Sequence, residues 1–462
     1  HVRSRRQRQM CIRDRELAVD TIPTLNVDEI QKLLSDKYRI QFPDSNSKAL
    51  HNFFKTLNFL KKDSSLIRIL HYGDSQIEGD RISSRLRDNF QKQFGGCGVG
   101  LVPVFDAVGK STIFRKKSNN WRNYLVFGHK YSKKNPNNYG LTGSYFSYTR
   151  IPTKQKKKII IPDSLKTDSL VKDSIQKEIV TNDSTLIQKF ITQKYAQAWF
   201  EYSKGWKRHG QMSKAKQVTL LYGNVYEPNF IQISTKTDTL DSFLLKQSKG
   251  LHFKKYFLTK DFNKIKVTVK GKQSPQIYGM AFDGKQGVAV DNIGFRGSSG
   301  IEFVRMDMKI LSEEIKKMNV KLLVLQFGVN VAAGKGLSSY DYYEKMFSKQ
   351  LKLLKKTDPN LSILVVSLSD MAYKQEGVLT TRPSVEKVRN AQRNAAFANG
   401  CAFWDLYEAM GGHNSMISWV DTKPSLAKSD YTHFNRKGAD LVGEMLYNAL
   451  ILAYAKHNKL ID

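Results

Sequence analysis

The hydrophobic pattern of the chain changes twice along its length, and this change constrains the fold more strongly than any other feature. In the first and last parts of the chain, short apolar runs typical of buried strands alternate with stretches of helical periodicity. The predicted strands lie at 66–72, 287–295, 321–328, 362–368 and 401–407. The predicted helices lie at about 80–94, 300–317, 338–356, 384–398 and 436–456. This alternation indicates a parallel sheet that is covered by helices on both faces.

Between these two parts, the pattern switches to alternating apolar and polar positions. The alternating runs lie at 217–225, 230–235, 251–259, 264–271 and 276–284, with turn residues between them. Such short, evenly spaced runs are typical of an antiparallel β-sandwich. The sequence therefore predicts one α/β domain built from residues 16–104 and 287–462, with a β-sandwich of residues 105–286 inserted into it.

The formal net charge is +33, and about two thirds of this excess falls in residues 105–290. Most of these cations are Lys in strand and loop sequence, without the Arg-rich helix or RNA-binding motif that marks base readout. We expect a solvated basic surface and no specific nucleic-acid partner. Weak attraction to an acidic polymer is the alternative.

Metal and membrane sites have no support in the sequence. Cys11, Cys97 and Cys401 lack the CxxC or Cys/His spacing of a zinc site. No apolar stretch approaches the roughly 20 residues that a membrane-spanning helix needs. We therefore expect neither a bound metal nor a transmembrane segment.

The first fifteen residues, HVRSRRQRQMCIRDR, lack apolar periodicity and resemble translated sequencing-adapter sequence. We expect residues 1–15 to be an artefact that does not belong to the native protein. A complete gene is then expected to encode a signal peptide upstream of about Glu16.

Three residues form a candidate catalytic triad. Ser75 follows the strand at 66–72 and precedes a helix, which is the setting that presents a nucleophile at the carboxyl edge of a parallel sheet. A serine hydroxyl needs a base to take its proton and an acid to orient that base. Asp430 and His433 supply both within one short segment. Taken alone, GDS is a common turn and DxxH is a common start of a capped helix.

Two further residues are candidates for an oxyanion hole, which needs preorganised hydrogen-bond donors. Asn330 lies just past a buried strand, where its amide can point towards the carboxyl edge of the sheet. Gly297 follows another strand and offers an unobstructed backbone N–H. The structural alternatives are a helix N-cap for Asn330 and a tight turn for Gly297.

The order of these blocks, GDS, then Gly, then Gly-x-Asn, then Asp-x-x-His, resembles the SGNH (GDSL-type) hydrolase family over about 62–104 and 287–455. The resemblance implies a three-layer α/β/α fold and an esterase in which Ser75 is the nucleophile and His433, oriented by Asp430, is the base. It also implies an oxyanion hole formed by the backbone N–H groups of Ser75 and Gly297 and the side chain of Asn330.

Two departures from the family pattern alter the wall of the expected pocket. Gln76 stands where GDSL has Leu, and Val331 follows Asn330 where Asp is commoner. Gln76 is therefore a candidate pocket residue. Asp370, just after the strand at 362–368, is a second candidate at the pocket mouth, although a helix cap or turn is the favoured interpretation of this residue.

Within the family, three segments and the predicted insert resemble bacterial cell-envelope members, and peptidoglycan O-acetylesterases in particular. The segments are HYGDSQIEGD, FGGCGVGLVP and SDYTHFNRKGADLVGEML. The resemblance implies hydrolysis of a small ester or an acylated polysaccharide, such as O-acetylated peptidoglycan, without a cofactor, in the periplasm or cell envelope. Two alternatives stay open: acyl transfer to a sugar hydroxyl by the same triad, and a non-enzymatic glycan-binding protein.

Overall fold

The computed structural model describes most of the chain in several ranges. These are residues 38–43, 48–60, 63–106, 109, 112–127, 138–150, 188, 190, 192–206, 212–334 and 338–459. Residues 1–15, predicted to be an artefact, lie outside the described residues.

Nineteen strands and nine α-helices occur in these ranges. The strands are β1 (Ile40–Gln41), β2 (Leu66–Gly73), β3 (Gly100–Val102), β4 (Ile113–Lys117), β5 (Trp121–Leu125), β6 (Ser144–Tyr148), β7 (Ala196–Lys204), β8 (Gln217–Val225), β9 (Asn229–Ser234), β10 (Thr239–Leu245), β11 (Ser248–Phe257), β12 (Lys264–Gly271), β13 (Gln276–Asp283), β14 (Gly287–Gly294), β15 (Val320–Gln326), β16 (Ser362–Val366), β17 (Ala372–Gln375), β18 (Val378–Thr381) and β19 (Ala402–Trp404). The helices are α1 (His51–Phe59), α2 (Arg81–Phe94), α3 (Met308–Lys317), α4 (Val329–Ala332), α5 (Asp341–Lys355), α6 (Ser384–Ala398), α7 (Leu406–Ala409), α8 (Ser415–Asp421) and α9 (Arg436–His457).

A six-stranded sheet forms the centre of the α/β part, in the order β1-β19-β16-β15-β2-β14. Five of its strands are parallel, and only the short edge strand β1 pairs antiparallel. Side chains of consecutive β15 residues point to opposite faces, as in any strand. Leu322 and Val324 pack with α1, α2 and α9, whereas Leu323 and Leu325 pack with α3, α5 and α6. Helices therefore cover both faces of the sheet.

Residues between β2 and β14 build two antiparallel sheets. One follows the order β10-β9-β12-β7-β4, and the other β11-β8-β13-β6-β5, with β3 paired to β13. Inward side chains of both sheets form a single buried cluster that includes Phe146, Phe200 and Val267. The outer face of the second sheet contributes Leu221 and Tyr278 to the core beneath α3. The antiparallel sheets thus share one core and also pack against the α/β part.

A buried ion-pair network joins the two parts. Arg68 of β2 donates to Asp283, at the end of β13, and to Asp291 of β14, each at 2.6 Å. All three side chains are almost fully buried. Because removing one partner of such a network leaves an uncompensated buried charge, these residues fix the end of the antiparallel sheet against the parallel one.

The prediction of a mixed α/β chain with parallel and antiparallel sheets is confirmed. The helix predicted at 300–317 begins only at Met308, because the Asp307 side chain accepts hydrogen bonds from the backbone N–H groups of Lys309 and Ile310 and so caps the helix there. The sequence did not indicate the hairpin of β17 and β18. Within the described ranges, no helix is both long and apolar enough to cross a membrane.

Candidate active site

Ser75 lies in the turn that connects β2 to α2. Strand β2 runs between β14 and β15, and Gly73 at its end is level with Gly294 and Gln326 of those neighbours. A Cβ on Gly73 would lie 2.6 Å from the carbonyl oxygen of Gln326, so glycine is required for this close approach. The segments after β14 and β15, which contain Gly297 and Asn330, consequently flank the turn that contains Ser75.

The structure brings Ser75, His433 and Asp430 into one hydrogen-bonded chain. Ser75 Oγ lies 2.9 Å from His433 Nε2, and His433 Nδ1 lies 2.9 Å from Asp430 Oδ2. An ionised carboxylate only accepts hydrogen bonds, so Nδ1 carries the proton in this pair and Nε2 is left as an acceptor for the serine hydroxyl. This arrangement can draw the proton from Ser75 as its oxygen attacks a carbonyl carbon.

The ionised form of Asp430 is stabilised by its own segment. Burial acts to raise the pKa of Asp430, but hydrogen bonds from the backbone and ring of His433 and from the backbone of Thr432 outweigh it, so the pKa is lowered. The two backbone N–H groups donate to Oδ1 at 2.9 and 3.0 Å. The side chain of Asp430 is 46% exposed, which keeps the carboxylate partly hydrated.

Gly297 and Asn330 follow neighbouring strands. Gly297 has φ +84°, a left-handed conformation that glycine adopts without strain. Asn330 lies in α4, and its side-chain Nδ2 donates to the carbonyl oxygen of Ser298 at 3.0 Å. That bond orients the amide and uses one of its two N–H groups, which leaves the second N–H for another acceptor.

Gln76 is fully buried and does not occupy the pocket-wall position predicted for it. Its Nε2 donates to Ser369 Oγ at 2.9 Å and to the carbonyl oxygen of Thr432 at 2.6 Å. The backbone N–H of Phe434 in turn points to Gln76 Oε1 at 3.5 Å. Gln76 thus binds the backbone on both sides of His433.

Asp370 also lies inside the fold, with no exposed surface, and not at a pocket mouth. It accepts hydrogen bonds from the side chain of Thr381 and from the backbone N–H of Met371, both at 2.8 Å. Its second oxygen accepts from the backbone N–H of Met416 at 2.8 Å. Asp370 thus connects the β17–β18 hairpin to α8.

Arg81, the first residue of α2, was not identified from the sequence. Its Nε donates to the carbonyl oxygen of Glu78 at 2.8 Å, Nη1 donates to that of Phe434 at 3.2 Å, and Nη2 donates to that of Ser75. A cation in the first turn opposes the helix dipole, and this unfavourable placement is a sequence signal that could have marked Arg81. Arg81 and Gln76 together fasten the serine turn to the histidine segment.

The fold of this chain is similar to that of several proteins of known structure. A peptidoglycan O-acetylesterase matches with a TM-score of 0.62 at 17% identity, covering 90% of this chain and 99% of its own. An acetyl xylan esterase (TM-score 0.29, 20% identity) covers 35% of this chain and 81% of its own. Axe2, an acetylxylan esterase from Geobacillus stearothermophilus (TM-score 0.25, 14% identity), covers 37% of this chain and 74% of its own. The first of these similarities shows the fold over nearly the whole chain.

No protein-family model and no curated protein matches the sequence. Among the described residues, no group of three or more His, Cys, Asp or Glu side chains is arranged to hold a metal ion.

Proposed function

We propose that the protein is a serine esterase of the SGNH type that removes small acyl groups from a glycan. The observation that carries the proposal is the chain of two 2.9 Å contacts from Ser75 through His433 to Asp430. Together with the short bonds that fix the histidine segment, this geometry supplies a nucleophile, a base and an orienting acid in contact with one another.

In the proposed reaction, Ser75 Oγ attacks the ester carbonyl carbon while His433 Nε2 accepts the hydroxyl proton. The negative charge that develops on the carbonyl oxygen is stabilised by the backbone N–H groups of Ser75 and Gly297 and by the second N–H of Asn330. His433 then returns its proton to the departing sugar oxygen, which leaves an acyl group on Ser75. Water, deprotonated by the same histidine, releases the acid and restores the serine.

For the substrate we propose O-acetyl groups on a cell-envelope glycan such as peptidoglycan. The likeness in fold to a peptidoglycan O-acetylesterase, along 90% of this chain, supports this choice. The same likeness supports a location in the periplasm or cell envelope. We further propose that residues 105–286 form a β-sandwich inserted into the hydrolase domain, since the two antiparallel sheets share one core. The short strand β3, which precedes this range, pairs with β13 and extends the second sheet.

Hydrolysis of p-nitrophenyl acetate by purified protein tests the triad. We expect Ser75→Ala and His433→Ala each to abolish turnover, because residues that act as a unit fail together. His413→Ala, which removes an exposed imidazole elsewhere, is the matched control and should behave as wild type. If either triad variant folds and keeps most of the activity, the assignment of Ser75, His433 and Asp430 as a catalytic triad is ruled out. Measuring free acetate with a sugar present separates hydrolysis from acyl transfer to a hydroxyl.

A further inference from the structure

A cavity of about 330 Å³ opens between the carboxyl end of the parallel sheet and the antiparallel sheets. One wall comes from Glu78 and Gly79, just after the serine turn, and from Ile293–Arg296, just before Gly297. The opposite wall comes from the antiparallel part and includes Phe105, Asp106, Asn123, Phe127 and Ser144. Neither part of the protein forms the cavity alone.

The cavity adjoins the candidate active site on two sides. A Cβ added to Gly297 would lie 3.4 Å from the ring of Phe127, so this aromatic side chain stands directly beside the candidate oxyanion glycine. On the other side, the carbonyl oxygen of Glu78 accepts from the Arg81 guanidinium that also binds the carbonyl oxygen of Ser75. The cavity is therefore lined by residues that lead from Ser75 into α2 and by residues that lead to Gly297.

The shape of the cavity is fixed by close packing between its walls. Gly143, in the turn before β6, has φ +61°, and a Cβ there would lie 2.4 Å from the ring of Phe295. This contact seats the antiparallel turn on the loop that leads to Gly297. A volume of about 330 Å³ lies at the small end of ligand pockets, which favours one sugar ring as the occupant.

The lining combines aromatic surface with charged and polar groups. Phe105 is 38% exposed, and Asn123 is exposed as well. The carboxylates of Glu78 and Asp106 also line the cavity; Glu78 lies 3.6 Å from Arg296, and Asp106 accepts from Arg115 at 2.5 Å. A pyranose offers apolar C–H faces to an aromatic ring and hydroxyl groups to carboxylates and amides. A long acyl chain would instead remove water from both carboxylates and offer them no hydrogen bond in exchange.

We propose that this cavity is the subsite for the pyranose ring that carries the ester, and that it makes the enzyme select acylated sugars over simple esters. The proposal rests on the esterase function proposed above. It assigns to Phe105 and Asn123, both in the antiparallel part, the recognition of the sugar that becomes the leaving group.

The test measures binding and turnover separately with one sugar ester, 6-O-acetyl-N-acetylglucosamine. Binding is followed by ligand-observed NMR titration of Ser75→Ala protein, in which no turnover is expected. Adding Phe105→Ala or Asn123→Ala to this protein should raise the Kd about fivefold or more, the size of one lost aromatic or polar contact. In the active enzyme, kcat/KM is measured for the sugar ester and for p-nitrophenyl acetate. Each variant should lower the first value relative to the second by a similar factor.

Phe257→Ala is the matched control. Phe257 is an exposed phenylalanine with Lys285 5.4 Å from its ring, as Phe105 has Lys117 at 5.2 Å, but it does not line the cavity. We expect Phe257→Ala to leave the Kd for the sugar ester unchanged. It should also leave the kcat/KM for the sugar ester, relative to that for p-nitrophenyl acetate, equal to the value of the parent protein.

The outcomes separate the two proposals. An unchanged Kd and an unchanged ratio in Phe105→Ala and Asn123→Ala overturn the sugar subsite, even if the enzyme is an active esterase. A faster reaction with p-nitrophenyl butyrate than with the acetate, lost in Phe105→Ala, would identify an acyl pocket and also overturn it. Sugar binding that depends on Phe105, in a protein that hydrolyses no ester, would refute the esterase and the leaving-group role of the cavity, and would leave a sugar-binding site alone.

Discussion

Arg81 offers the sharpest test of how the fold positions the proposed catalytic groups. Its three hydrogen bonds reach the carbonyl oxygens of Ser75, Glu78 and Phe434, so one guanidinium spans the serine turn and the residue next to His433. Arg81→Met keeps much of the length of the side chain and removes all three bonds. The carbonyl groups remain in a partly buried setting without this donor.

The expected magnitudes follow from those bonds. Three bonds from a half-buried charged group, each contributing about 1 kcal/mol after solvent screening, give a loss of about 2–4 kcal/mol in the free energy of unfolding. A displacement of about 1 Å at a catalytic group can cost about 10²-fold in rate. Because Gln76 still holds the carbonyl oxygen of Thr432 at 2.6 Å, we expect a smaller displacement of His433 and a fall in kcat of about 10- to 100-fold. The KM should change little.

The assay is p-nitrophenyl acetate kinetics alongside urea unfolding. Arg85→Met is the control, because Arg85 lies one turn further along α2 and pairs with Glu444 at 2.6 Å, away from the histidine segment. It removes the same charge and should leave kcat near the wild-type value. Arg81→Lys, which keeps the charge and fewer donors, should recover part of the activity. A destabilised Arg81→Met enzyme with unchanged kcat would show that Arg81 holds the fold together but does not position His433.

Three further predictions concern single side chains. Asn330→Ala should lower kcat by about 10²–10³, the usual effect of losing one oxyanion donor; a change in KM alone would assign Asn330 to substrate binding. Asp430→Asn should lower kcat by about 10²–10⁴, because the amide favours the wrong histidine tautomer, and wild-type kinetics would exclude Asp430 from the triad. Burial raises the pKa of Asp74 to about 7, despite hydrogen bonds from the backbone N–H groups of Gln76 and Val329. The folded state therefore holds a proton between about pH 4 and 7 that the unfolded state has lost, so the stability of the wild type should fall as pH rises through this window. The Asp74→Asn variant should show a flatter dependence of stability on pH, and at pH 8 it should be more stable than the wild type by a few kcal/mol at most. Parallel pH–stability curves for the two proteins would contradict this prediction.

Local features of the candidate site follow from sequence spacing. Asp430 and His433 lie three residues apart, and their contacts are made by the segment itself, including two backbone N–H groups that donate to the carboxylate. Such bonds depend on short-range backbone geometry, which a motif of a few residues largely specifies. The strand that leads to Ser75 and the helix that follows it were predictable for the same reason, because apolar periodicity is a local property.

Contacts between distant segments depend on the order of strands in the sheet, which the sequence pattern does not fix. Ser75 and His433 are 358 positions apart, and β2, which leads to Ser75, lies between β14 and β15, two strands from much later in the chain. The inward positions of Gln76 and Asp370 could not be read from the sequence, because a polar residue after a strand can face a pocket or a buried partner with equal ease. The cavity could not be predicted either, since it brings together residues as far apart in the chain as Phe105 and Arg296. Apolar patterning and short motifs thus determined the elements and the candidate catalytic residues. Tertiary packing alone decided which polar groups meet, because burial and pairing are set by neighbours distant in the chain.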